Sequence, residues 1–372
     1  MKTSHLTFGS EWALLELVSI SLTTAHQQEL FEELIKSKRL HWGELLEQAL
    51  RHKILPLLAF YLTLDQFENI PKSLKKHLQT VLDLNRAKTT IFRDEAAKIV
   101  KVLNEPNVRF VGTKGIVFES TLYEGNGSRY MNDMDFMITP SQKDTVKSVI
   151  SQLGYQTGEF DWSSGKVKSH SRKDMMTYQL NPDHLPASAK LIDNPIIRCV
   201  HIDFANSLTW TRSPFDVPVE TALAEISYQS IPGYQDIQMP CFSPTFQFIF
   251  TILHLFREAW FERWLNWKQD VNLSKFADVI RLWRANQATL ESKDFVQTLE
   301  EFKITEPILW VLEHTDRTFH TEIVSALGLE GRVSEDWLAS AYAPGGKLRM
   351  WKGTMRERLH CKDRRKLFAD TP

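Results

Sequence analysis

One stretch restricts the fold more than any other: residues 108–139, VRFVGTKGIVFESTLYEGNGSRYMNDMDFMIT. Upstream of it, apolar residues recur at helical spacing. Leu45, Leu46, Ala49 and Leu50 do so ahead of Pro56, and Ala87, Ile91, Ala96, Ile99, Val100 and Leu103 line one side of residues 83–103. After Asn104, Glu105 and Pro106 the period changes. Residues 108–111 alternate like a strand that ends at Gly112, and residues 115–123 read as a short helix. Gly125-Asn126-Gly127 is a turn, and residues 131–138 are a second strand stopped by Pro140. An amphipathic helix over 142–153 closes at Gly154. Residues 175–180 and 197–204 are further strand candidates, and from Thr245 the pattern is helical again. The expected fold is α+β, with a helical region 1–105, a small mixed-sheet core 106–240 and a helical region 241–372. An active cleft is expected between the core and the last helices.

The chemistry is concentrated in the same stretch. Asp133 and Asp135 lie two apart on a predicted strand, so both face one side while Met134, Phe136 and Ile138 face the other. Two carboxylates about 7 Å apart gain nothing from packing and repel each other. A divalent cation neutralises them, because Mg²⁺ takes one or two carboxylates together with substrate phosphates. Upstream, Gly112-Thr113-Lys114-Gly115 lies between a strand and a helix start, where free amides and a lysine attract phosphate. It is not a Walker loop, since GxxxxGK[ST] is absent. Downstream, Val200, Ile202 and Phe204 form the apolar face of another strand, with His201 and Asp203 on the other. Asp203 is the third acid, and three carboxylates beside a phosphate loop are what two-metal nucleotidyl transfer requires.

These residues resemble the nucleotidyltransferase superfamily that includes DNA polymerase beta and the kanamycin-type nucleotidyltransferases. More narrowly, the chain is similar to a bacterial group of uncharacterised nucleotidyltransferases. The likeness lies in the Lys114-Gly115 turn, in the Arg-x-x-x-Asp-x-Asp segment from Arg129 to Asp135, and in the phrase LLEQALRHKILPLL of residues 45–58. It lies also in the strand from His201 to Asp203 and in a later region with His254 and Asp270, and it covers roughly residues 40–285. The superfamily's usual Gly-Ser pair is replaced here by Gly115 after Lys114, and Phe204 rather than histidine follows Asp203. The resemblance implies a Mg²⁺- or Mn²⁺-dependent transferase that takes an NTP, with ATP favoured. Asp133, Asp135 and Asp203 would be its catalytic metal ligands. Gly112, Thr113, Lys114, Gly115 and Arg129 would bind nucleotide, and His201, His254 and Asp270 would be acceptor-binding or accessory residues. The acceptor is a small molecule, antibiotic, peptide or protein. The alternative is a nucleotide-sensing or partner-binding protein on the same fold.

Charge argues against a nucleic-acid partner. Forty-five Lys+Arg balance 46 Asp+Glu, for a net charge of −1, whereas proteins that grip nucleic acid carry a basic excess. The basic residues that do cluster, from Lys347 to Lys366, read as solvated helix faces. Cys199, Cys241 and Cys361 lie far apart without metal-ligand spacing, which fits reduced thiols in the cytoplasm. The first residues do not read as a signal peptide. No apolar run reaches the roughly 20 residues of a membrane span. Trp260, Trp264 and Trp267 recur at helical spacing and read as packing core.

Overall fold

The computed structural model describes residues 8–37, 40–63, 67, 69–343 and 345–368. Residues 1–7, where no leader is expected, lie outside that set. The architecture is α+β: helices flank a mixed sheet of seven strands. The chain divides into two compact units, one of Met1–Val81 with Thr251–Pro372 and one of Leu82–Phe250. Both ends of the chain therefore share a unit. The divisions fall inside two helices, Lys72–Asn104 and Pro244–Trp260, rather than at 105/106 and 240/241. Among the described residues no helix is long and apolar enough to cross a membrane.

The sheet belongs to the unit Leu82–Phe250. Its strands, with a small hairpin beside them, are β1 (Phe110–Thr113), β2 (Asp133–Ile138), β3 (Gln156–Thr157), β4 (Glu159–Asp161), β5 (Lys166–Lys168), β6 (Ser188–Leu191), β7 (Cys199–Ala205), β8 (Ile226–Ile231) and β9 (Tyr234–Phe242). The order in the sheet is β3-β6-β7-β2-β1-β9-β8, while β4 and β5 pair separately. β2 runs parallel to β7 and antiparallel to β1. The predicted alternation appears as burial. Met134 and Ile202 are partners across β2 and β7, as are Phe136 and Phe204, whose rings stack at 5.4 Å. All four are at most 2% exposed. Burying side chains of this size stabilises by roughly 1.5–3 kcal/mol each, which holds the two central strands in register.

One expected strand is a helix. Residues 175–180 fall in Arg172–Leu180, where Ser171 and Asp174 form a reciprocal capping box. None of its residues is buried. Without a buried face the apolar residues there impose no strand period, and the cap decides.

The helical unit explains the phrase at residues 45–58. Helix Trp42–Arg51 ends at His52, Lys53 turns the chain at φ +57°, and Pro56 starts helix Leu55–Leu62. His52 is fully buried, and its Nδ1 accepts a hydrogen bond of 3.2 Å from the Leu273 amide at the start of helix Leu273–Ala285. Burial pushes its pKa well below the usual histidine range, and the charges of Arg51 and Arg364 add to this. The histidine is thus a neutral cap joining sequence-distant helices.

The basic carboxy-terminal run is only partly solvated. Arg358 is 3% exposed and stacks 3.7 Å from the Trp351 ring centre, and Arg356 pairs with Glu16 at 2.7 Å. A helix face that packs against acids reads like a solvated face in sequence, because the partners are distant along the chain: Glu16 is 340 positions from Arg356 and Asp270 is 88 from Arg358. Of the tryptophans, Trp260 is buried against Phe256, whereas Trp267 is 61% exposed. The helix carrying Trp260 ends there, and a separate short helix, Glu262–Asn266, takes over, which breaks the expected stripe.

Candidate functional site

The polar face of the central strands gathers the three acids. Asp135 of β2 and Asp203 of β7 are direct partners in the parallel ladder, and Asp133 is opposite His201 one step along. Partners in register project to the same face, so Asp133, Asp135 and Asp203 share one side with His201. Asp133 is exposed, and Asp135 and Asp203 are half-buried. On the other flank Thr113 of β1 is opposite Asp135, and its hydroxyl donates to the Asp135 carbonyl at 3.3 Å.

Lys114 follows Thr113 and closes on the acids. Its Nζ is 2.8 Å from Asp135 Oδ1 and 5.9 Å from the Phe250 ring centre. Its backbone has φ +49° and ψ −126°, just before helix Gly115–Thr121. A side-chain-bearing residue held there is strained by on the order of 1–3 kcal/mol, and such strain concentrates at functional positions. The neighbouring glycines have packing reasons. A Cβ on Gly112 would stand 2.6 Å from Met239 Sδ, so this buried residue of β1 must be small. A Cβ on Gly115 would stand 2.7 Å from an Arg129 guanidinium nitrogen and 2.9 Å from Met131. Gly115 therefore admits Arg129 beside the lysine turn, which links the two sequence motifs physically. Arg129 also lies over the Phe118 ring at 5.5 Å.

Residues that sequence reasoning passed over fasten the loop leading to Asp133. Asn85 donates to the carbonyls of Gly127 at 2.6 Å and Arg129 at 3.0 Å, and Arg86 donates to the Asn126 carbonyl at 2.8 Å. Buried Glu119 accepts from the Gly127 amide at 3.2 Å and pairs with Arg93. Gly127 has φ +76° and lies against Arg86, where a Cβ would collide. Lys88 donates to Asn132 Oδ1 at 3.0 Å and lies 5.0 Å and 5.5 Å from the ring centres of Tyr130 and Phe92. Burial lowers its pKa from 10.5 to about 8, against the opposing pull of Asp133. The available signal was the polar side of helix Lys72–Asn104, opposite the apolar residues that gave the helix its period.

Another unforeseen group adjoins Asp203. His184 Nε2 is 3.9 Å from Asp203 Oδ2, and its Nδ1 is 3.2 Å from Asp183 Oδ2. Asp183 is buried and also accepts from the Thr211 hydroxyl at 2.9 Å. His201 is half-buried. Burial lowers its pKa, Glu159 opposes the shift and Lys88 reinforces it.

His254 and Asp270 belong to the helical unit and have partners there. His254 Nδ1 is 3.3 Å from Glu258, which also receives Lys275 at 2.7 Å. Asp270 is 1% exposed and lies 3.2 Å from Arg358 and 2.5 Å from Arg364. Burial alone would raise its pKa, but the two guanidiniums outweigh that and hold the carboxyl below its usual range.

Hard carboxylate oxygens on neighbouring rungs suit Mg²⁺ or Mn²⁺. Among the described residues, no three His, Cys, Asp or Glu side chains are placed to hold a metal ion by themselves. An ion at these carboxylates would take its remaining ligands from outside the protein.

The sequence pattern of the uncharacterised nucleotidyltransferase family matches residues 38–320. That span contains the acids, the lysine turn and the buried His52 phrase. No curated protein and no solved structure matches the chain.

Proposed function

The chain belongs to the uncharacterised nucleotidyltransferase family, and from that premise we propose that it moves a nucleoside monophosphate from an NTP, with ATP favoured, to a hydroxyl or other nucleophile of an acceptor. The acceptor classes are a small molecule, an antibiotic, a peptide or a protein. The observation that carries this reading is the pairing of Asp135 with Asp203 across β2 and β7, with Lys114 on Asp135. Like charges placed side by side at a half-exposed strand face cost stability unless a cationic ligand uses them.

Asp133, Asp135 and Asp203 would hold two Mg²⁺ or Mn²⁺ ions, which when bound supply neutralisation of the phosphates and a lower pKa for the attacking hydroxyl. Lys114 and Arg129 hold the triphosphate by charge and hydrogen bonds. The acceptor oxygen forms a bond to the α-phosphorus. The bond from that phosphorus to the α,β-bridging oxygen breaks, and pyrophosphate leaves. Asp203 takes the acceptor proton and passes it to solvent. The protein's contribution is positioning and fixed charge rather than covalent chemistry.

A thermal-shift screen with each NTP, with and without Mg²⁺, tests binding. Product analysis with candidate acceptors then tests turnover. Metal-dependent stabilisation by one NTP together with pyrophosphate release supports the reading. Stabilisation without any product across the acceptor classes identifies a nucleotide sensor, and the absence of any NTP effect removes the proposal.

A further inference from the structure

The acid face has a cation at each end. Lys114 sits on the Asp135–Asp203 rung. Lys88 donates to the side chain of Asn132, the residue just before Asp133 of the Asp133–His201 rung. The rungs are two residues apart, or about 7 Å along the strand. Lys88 reaches this place from helix Lys72–Asn104, between the rings of Tyr130 and Phe92, and its neighbour Asn85 pins the loop that carries Asn132. An ammonium has three donors, and the bond to Asn132 uses one.

In-line transfer puts the leaving pyrophosphate and the incoming nucleophile on opposite sides of the α-phosphorus. If Lys114 marks the pyrophosphate side, the other end of the acid face is the acceptor's. Resting on the proposed transfer reaction, we infer that Lys88 and His201 form an acceptor subsite, and that the acceptor carries an anionic group, phosphate or carboxylate, near its nucleophile. Lys88 binds that group and takes no part in bond making.

The test uses the full-length protein and its Lys88→Met, Lys88→Arg and Lys114→Ala variants. Calorimetry measures α,β-methylene-ATP with Mg²⁺, and then inorganic phosphate or acetate added to the nucleotide-saturated protein. Lys88→Met should weaken phosphate or acetate binding about 10-fold or more while leaving nucleotide affinity within about two-fold, and Lys88→Arg should restore most of the loss. Whichever anion binds more tightly identifies the acceptor group. If Lys88→Met weakens the nucleotide as Lys114→Ala does, Lys88 is a triphosphate residue and the inference fails. It fails also if neither anion binds, or if both bind the variant as well as the native protein. Should the native protein bind no nucleotide, the proposed reaction falls. Titrating the same anions into the nucleotide-free native and Lys88→Met proteins then decides the anion subsite separately.

Discussion

Two groups of acids in this chain meet opposite electrostatic conditions. Asp270 is buried in the helical unit and answered by Arg358 and Arg364. Asp133, Asp135 and Asp203 share a partly exposed strand face, with Lys114 on Asp135 and His184 approaching Asp203. A buried acid with two guanidiniums is committed to the fold, because removing any partner strands a charge in a medium that solvates it poorly. Acids crowded on a partly exposed face of two central strands repel one another, and their removal costs the fold less. The same residue type is thus locked into an ion-pair network in one unit and, in the proposed reaction, carries the chemistry in the other.

Replacing acids in each unit should separate these roles. Asp133→Asn with Asp135→Asn should lower NTP-dependent pyrophosphate release by at least about 10³-fold, roughly 4 kcal/mol. Its nucleotide-free melting temperature should stay level or rise slightly, because two repelling charges are gone. Retained turnover, or a collapse in melting temperature, would erase the contrast. Asp270→Asn should do the reverse and cost about 3 kcal/mol of stability or more by leaving Arg358 and Arg364 uncompensated. Denaturant melts check this, and an unchanged midpoint would show that the buried network is dispensable.

Lys114 sharpens the comparison at a single residue. Lys114→Ala should weaken Mg–ATP binding about 10-fold, or about 1.4 kcal/mol. Lys114→Gly should weaken it equally but raise stability by about 0.5–1 kcal/mol, since glycine accepts φ +49° without strain. If both variants bind ATP normally, the lysine is a structural partner of Asp135 only.

The smallest effect concerns acid. His314 of the helical unit is pushed down to about 3 by burial, and His52 also lies well below 6.5. Between pH 6.5 and pH 3 the unfolded chain therefore binds more protons at these positions than the folded one, and stability falls as pH falls through that window. His314→Gln should make the fall in melting temperature between pH 7 and pH 4 shallower. An unchanged slope would move the acid sensitivity to other groups.

Much of the candidate site was legible because it is local. The parity of Asp133 and Asp135, the Lys114-Gly115 turn and the strand of Asp203 follow from period-two alternation and short-range turn signals. The helix at Arg172–Leu180 was missed because its cap, Ser171 with Asp174, outweighed a weak apolar pattern. Asp183 and His184 left no periodic mark, and Glu119 looked like any polar residue of a short helix.

By itself the sequence determined which residues alternate, where helices give way to strands, and that three aspartates lie on the polar sides of two strands. These are properties of a few bonds' reach, written in backbone geometry and side-chain parity. Only the tertiary structure decided that β2 and β7 are neighbours with Asp135 beside Asp203. It alone brought Lys88 from a helix to Asn132, the residue before Asp133, and Asp270 to arginines about 90 positions away. Those pairings depend on which buried faces fit together across the whole chain, and no local pattern encodes that.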